Sequence, residues 1–138
     1  MQEHRASFAF ETTLSGRGHA KRIRSLIGDG YSVHLLYIWL PNADQAVARV
    51  KLRVMHGGHD IPEQTIRRRY DRSLHNLTKL YMPIVSTWRV YDGRGSDQRG
   101  GVPLVAHGGL DSDVNVVNDM IWNELTRQFT GIHRKGPT

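Results

Sequence analysis

The sequence predicts an α/β fold, a mostly parallel sheet flanked by helices, and three observations carry that reading. Short apolar runs alternate along the chain with amphipathic stretches. The run "YSVHLLYIWL" (31–40) is nearly continuous in apolar and β-favouring residues, as expected of an interior parallel strand covered on both faces. Each connection between strands that is long enough to read contains a helical pattern, which parallel neighbours need.

Taken in order, "SFAFETTL" (7–14) reads as a first buried strand. "SGRGHAKRIRSLIGDG" (15–30) puts Ala20, Ile23, Leu26 and Ile27 on one helical face and stops at Gly28 and Gly30. After the strand at 31–40, "NADQAVARVKLRVMH" repeats apolar residues at Ala43, Val47, Val50 and Val54, a helix with a basic outer face. A "GGHDIP" loop follows, with Pro62 suited to a helix's first turn. From there Ile66, Tyr70, Leu74, Leu77 and Tyr81 form the cleanest apolar stripe in the chain. "TWRVYDG" (87–93) is another strand, and "GRGSDQRGG" (93–101) a flexible loop. "VPLVAHGG" (102–109) reads as an edge strand, because Pro103 cannot donate to a ladder. The last helix is expected to be capped by Asp111 or Asp113, with Val114, Val117, Ile121, Leu125 and Phe129 inward. One domain over 1–130 is expected, with a disordered tail at 131–138.

Bulk composition narrows the function. The 138 residues are 38% hydrophobic and 23% charged, with no cysteine. No apolar run approaches the roughly 20 residues of a membrane span, and the N-terminus lacks an apolar signal core. A cytoplasmic, membrane-free protein is the expectation. The formal charge of +6 comes from 15 arginines and 4 lysines against 13 acidic residues. Arginine's planar, permanent charge suits phosphate and carboxylate, so an anionic partner is implied. Nucleic acid is the weaker choice of anion, since no aromatic stacking platform or recognition-helix pattern accompanies the charge. His56 and His59 have no third ligand nearby and read as surface residues rather than a metal site.

Two clusters are candidate sites. On the helix carrying the Ile66–Tyr81 stripe, Arg68 and Arg72 lie opposite the buried side, and Arg67 lies on one flank. Arg69, Arg72 and Asn76 make a polar ridge just after the loop of Gly57, Gly58 and His59, an arrangement a phosphate-closing lid requires. The alternative is a solvated basic face balanced by Asp71 and Glu63. The second cluster is Glu11, Thr12 and Thr13, at the carboxyl end of the first strand, where open α/β sheets bind ligands. Glu11 could bind sugar hydroxyls or orient a metal-bound water, or it could pair with Arg17.

"FAFETTLSGRG", "WLPNADQAVARV", "GGHDIPEQTIRRRYDRSLHNL" and "YDG", in this order, resemble the zeta-toxin family of P-loop kinases from Phe8 to Val105. Members include toxins that phosphorylate UDP-N-acetylglucosamine with ATP. The resemblance implies that Glu11 and Thr13 contact the phosphoryl acceptor. It implies that 57–82 is the lid segment, with Arg69 and Arg72, then Arg68 and His59, toward the ATP phosphates. Nucleotides, a nucleotide sugar and a cognate antitoxin are the implied partners, and ATP with Mg²⁺ the cofactors of an intact member. Ser15 and His59 stand where the best-known toxins carry arginine, which leaves the acceptor's identity open.

One part of the pattern is absent. The Gly-x4-Gly-Lys-Ser/Thr loop that cradles phosphates has no counterpart here, since the sequence contains no Gly-Lys pair. The family's catalytic Asp, upstream of the Glu-x-Thr strand, is missing as well. The implied fold is therefore a partial P-loop kinase-like sheet lacking the first strand and phosphate-binding loop. In the family that strand lies between the counterparts of 7–14 and 31–40, leaving about three core strands that pair directly or border a gap. The function expected is a portion of an ATP-dependent small-molecule kinase, inactive as this chain alone and holding neither ATP nor Mg²⁺ tightly. A non-catalytic binder of a nucleotide sugar or antitoxin is the alternative.

Overall fold

The computed structural model describes residues 14–94 and 101–133, with side chains to 127. Within them the elements run α1 (Gly18–Gly28), β1 (His34–Trp39), α2 (Ala43–Met55), α3 (Glu63–Asn76), a π-turn (Leu77–Tyr81), β2 (Thr87–Asp92), β3 (Leu104–Gly109), β4 (Ser112–Val116) and α4 (Asp119–His133). Residues 7–13 of the strand expected over 7–14, the loop tip at 95–100 and the tail at 134–138 lie outside the described residues, and Leu14, the last residue of that expected strand, is a left-handed bend. Helix α4 runs to His133, past the expected end of the domain at 130.

The sheet is mixed, not mostly parallel. Its four strands lie in the order β1-β2-β3-β4, with β1 and β2 parallel and the two later pairings antiparallel. The parallel pair is joined through α2 and α3, a crossover of the kind parallel strands need. Strand β3 instead folds straight back on β2, and β4 on β3 through a tight turn at Leu110 and Asp111. Strand β3 is thus interior rather than an edge. Pro103 stands one residue before its start, so the missing N–H is not needed by the ladder. Among the described strands β1 pairs with β2 alone.

The expected cap of the last helix at Asp111 or Asp113 is also corrected. Residues 112–116 are extended, and Asn118 caps α4 by accepting from the Ile121 N–H at 3.0 Å. The β-branched Val114 and Val116 resist the helix and alternate as a strand requires. Val114 and Val117 are consequently exposed, while Ile121 and Leu125 do reach the core.

One sheet face carries the core. Tyr37, Trp39, Trp88, Val90 and Ala106 pack with Ala20 and Ile23 of α1, Leu74 of α3, Leu77 and Tyr81 of the π-turn, and Ile121 and Leu125 of α4. The stripe read from the sequence over 66–81 is therefore the core face of α3, while α2 packs onto α3 through Val47. On the opposite sheet face Leu36 and Ile38 remain exposed.

Trp88 stacks on Trp122 of α4, with ring centroids 5.7 Å apart and planes within 5°. Beneath that stack lies Gly108, the cross-strand partner of Trp88, where an added Cβ would meet the indole at 2.7 Å. Only glycine lets the β3 backbone approach this ring. Gly108→Ala is expected to destabilise the fold by roughly 1–3 kcal/mol through overpacking, read as a lowered urea midpoint, with the near-ultraviolet signal of the stacked indoles reduced.

Candidate functional site

The loop at residues 14–16 is gripped by buried polar groups. Asn76, at the end of α3, is 5% exposed. Its Nδ2 donates to the Leu14 carbonyl at 2.7 Å and reaches the Gly16 carbonyl at 3.4 Å. The Tyr81 hydroxyl donates to the same Gly16 carbonyl at 2.7 Å and accepts from the backbone N–H of His19. Burial raises the Tyr81 pKa, although the His19 bond and the Arg17 charge oppose this, so the phenol stays protonated as donor. In an ordinary α-helix, positions 76 and 81 would point apart. Closing the chain on the fifth residue rather than the fourth widens the turn and brings them to one side.

This clasp has two consequences. Helix α1 has no side-chain cap and no acidic residue in its first turn, so Tyr81 supplies from outside the acceptor that a capping residue would provide. Leu14 is held at φ 59°, the one positive-φ non-glycine residue among those described. That left-handed conformation costs a leucine about 1–2 kcal/mol and persists where the surroundings over-determine it.

The expected ridge is present on α3, with a changed membership. Asn76 is turned inward as a clasp, while Arg72 and Arg69, one and two turns earlier on the same side, are exposed. Neither is in an ion pair among the described residues. Arg68 is exposed too, as is His59 in the loop before α3. Arg67 is the arginine engaged by carboxylates, at 2.7 Å from Asp44 and 3.0 Å from Glu63. Glu63 is thus spent on Arg67. Glu11 and Thr13 lie outside the described residues, and the structure begins at Leu14, immediately after them.

A second polar group stands at the carboxyl end of the parallel pair. Asp92 ends β2 largely buried, and the Arg94 guanidinium binds both its oxygens at 3.0–3.3 Å while the Arg94 N–H adds a third donor at 3.0 Å. The same guanidinium lies over the Trp39 ring, 5.7 Å from its centroid. Trp39 is fully buried and its Nε1–H has no acceptor among the described residues. Gly93 passes so close to β1 that its N–H donates to the Trp39 carbonyl at 2.7 Å, and an added Cβ would overlap Ile38. Arg49 of α2 donates to the Gly93 carbonyl at 3.1 Å. In the sequence, an Asp closing the strand "TWRVYDG" beside Gly-Arg already signals a need for a cation. The spacing places Tyr81 in the apolar stripe and carries no signal of its hydroxyl's function.

Burial pushes the Asp92 carboxyl up, but the Arg94 side chain and N–H outweigh it and hold its pKa below the usual carboxylate value. Among the described residues no group of His, Asp or Glu is arranged to hold a metal ion. No helix among them is long and apolar enough to cross a membrane.

Comparison with known proteins adds little. A protein of Haemophilus influenzae described only as uncharacterized is 40% identical over 63 residues, covering 46% of this chain and 45% of that protein. The match thus spans less than half of the relative. No family model and no solved structure matches the chain.

Two outcomes test this geometry. Tyr81→Phe leaves Gly16 and His19 without their buried partner and is expected to cost about 1–3 kcal/mol, seen as a lower urea midpoint with the Asn76 contacts intact. Because the folded Asp92 pKa is depressed, its contribution is full above the unfolded carboxylate value and is lost as pH falls through the folded one. Urea midpoints should therefore fall below about pH 4 in the natural protein, and Asp92→Asn should flatten that part of the profile; parallel profiles would contradict the pairing.

Proposed function

We propose that this chain is the lid and acceptor side of an ATP-dependent small-molecule kinase of the zeta-toxin kind, with Arg69 and Arg72 as phosphate clamps. The observation that carries the reading is the shared side of α3: its last turn, through Asn76, clasps the loop that follows Glu11 and Thr13, and its earlier turns present two arginines without carboxylate partners among the described residues. One end of that helix is thereby tied to the loop at 14–16, and the guanidinium forks lie on the same side for an anion. Arg67 stays with Asp44 and Glu63, tethering the start of α3 to α2.

In such a kinase, catalysis is positioning and charge neutralisation of the transferred phosphoryl group. Glu11 and Thr13 would hold the acceptor, a nucleotide sugar such as UDP-N-acetylglucosamine. Arg69 and Arg72, with Arg68 and His59 nearby in sequence, would meet the triphosphate. Mg²⁺ and ATP would be held mainly by a lysine-bearing phosphate loop, for which this sequence has no counterpart.

The test is calorimetry with ATP and with UDP-N-acetylglucosamine, beside an assay for ATP-dependent phosphorylation of the sugar nucleotide. Expected are binding of the nucleotide sugar, weak binding of ATP, and no turnover by these 138 residues. Arg69→Ala combined with Arg72→Ala should weaken ATP by about tenfold or more. Unchanged ATP affinity in that double variant would remove the clamps, and turnover by the chain alone would show that the missing loop is not needed. Sugar-nucleotide binding with no ATP binding at all would favour a non-catalytic binder.

A further inference from the structure

We infer that this chain associates head to tail with a second copy of itself, the outer face of α2 on one copy meeting the β4–α4 corner of the other. Its charge is divided unevenly. From Arg17 to Lys79 there are twelve Lys and Arg against five Asp and Glu, whereas Gly101 to Thr126 holds four acidic residues and no Lys or Arg. The formal +6 thus hides a basic segment and an acidic one. Surfaces of opposite sign steer two copies toward an encounter between unlike ends.

Each segment also exposes apolar side chains that the core does not use. On α2 the core side is set by Val47, with Ala43, Val50 and Val54 half-buried. At 100° per residue, Ala48, Leu52 and Met55 form a second stripe on the outer side. All three are exposed, Leu52 at 58% and Met55 at 78%. Lys51 flanks this stripe on one side and Arg53 on the other, and neither is in an ion pair among the described residues.

The acidic counterpart is the corner between β4 and α4. Val117 and Asn118 donate their N–H groups to the Val105 carbonyl at 2.8 and 3.1 Å, which ties this corner to β3. Around it Val114, Val117 and Met120 are exposed, Val117 at 62% and Met120 at 78%. Asp113 and Asp119 stand beside them in sequence, exposed and outside any ion pair among the described residues.

The two patches are alike in apolar content and opposite in charge, so each is the occupant that the other fits. Either one against its own kind would bring like charges together. Within one molecule they do not cover each other, since α2 packs on α3, β4 pairs with β3, and both patches are exposed at once. A contact between unlike patches is heterologous and leaves one patch free at each end, so species beyond the dimer follow unless a ring closes. With two or three large apolar side chains on each side, the contact belongs with the weak, transient interfaces. It uses none of Arg68, Arg69 and Arg72, and its failure would leave the kinase reading untouched.

Sedimentation equilibrium provides the test, on the natural full chain, on Leu52→Ser with Met55→Ser, on Val117→Ser with Met120→Ser, and on an equal mixture of the two variants. All four side chains are exposed, so both variants should keep the circular dichroism of the natural protein. The natural protein's average mass is expected to rise above 15.7 kDa with concentration. It should fall back as salt approaches about 1 M, where charges are screened within about 3 Å. Each variant alone is expected to stay monomeric, while the mixture regains association as a one-to-one pair, because one variant supplies the stripe and the other the corner. A natural protein that is monomeric up to about 1 mM in low salt overturns the inference, as does association that high salt leaves unchanged. A variant that still associates alone overturns it by placing the interface elsewhere, and a mixture that stays monomeric does so by denying that the patches meet. Should a serine pair fail to fold, Met55→Ser and Met120→Ser must each still raise the dissociation constant, or the inference falls.

Discussion

Three hydrogen bonds from two buried side chains hold α1, α3 and the loop at 14–16 in one arrangement. Asn76 and Tyr81 together fix the carbonyls of Leu14 and Gly16, so the end of α3, the start of α1 and the loop at 14–16 are one unit. Their strength comes from burial, because a polar group without water must be satisfied by its neighbours or lose far more than a hydrogen bond gains. The widened turn at Leu77–Tyr81 allows both side chains to act on one loop. An ordinary helix would offer one clasp and leave the other directed elsewhere. The left-handed backbone at Leu14 and the externally capped α1 both follow from this grip.

The arginines of α3 divide by what surrounds them rather than by sequence order. Arg67 has two carboxylates within 3.0 Å and serves to join helices. Arg68, Arg69 and Arg72 keep their charge toward solvent, in a chain with few acidic residues to offset it. Side chains of identical chemistry thus have a structural role on one flank and remain available on the other. At the opposite end of the same crossover, Arg94 is committed to Asp92 while its flat face covers Trp39. The carboxyl end of the parallel pair is therefore ordered by charge and by stacking at once.

Much of this was legible in the sequence, and the failures have physical reasons. The α3 stripe from Ile66 to Tyr81 came through because five apolar residues at helical spacing have no competing period. Gly28 and Gly30 marked the end of α1 by chemistry that acts locally. The residues 114–117 misled because Val114, Val117, Ile121 and Leu125 fit a helical period while Val114 and Val116 also alternate, and only the Asn118 cap favours the later start. The sheet's mixed direction depends on where β3 pairs, a long-range matter that no local residue pattern signals. The clasp was half visible: Asn76 stood out as polar on a flank, but the widened turn that enlists Tyr81 has no signature in "LTKLY". Glu11 and Thr13 are known from sequence alone.

The parallel pairing of β1 and β2 also orders events in time. His34 aligns with Thr87, 53 positions further along the chain, and Ser86 meets Val33 over the same separation. Closing so long a loop yields nothing until the ladder forms, whereas the β3–β4 hairpin and the α2–α3 pair need only near neighbours. The nascent chain therefore assembles its local pieces first. Its sheet is completed when the helical crossover has already compacted and can deliver one strand to the other.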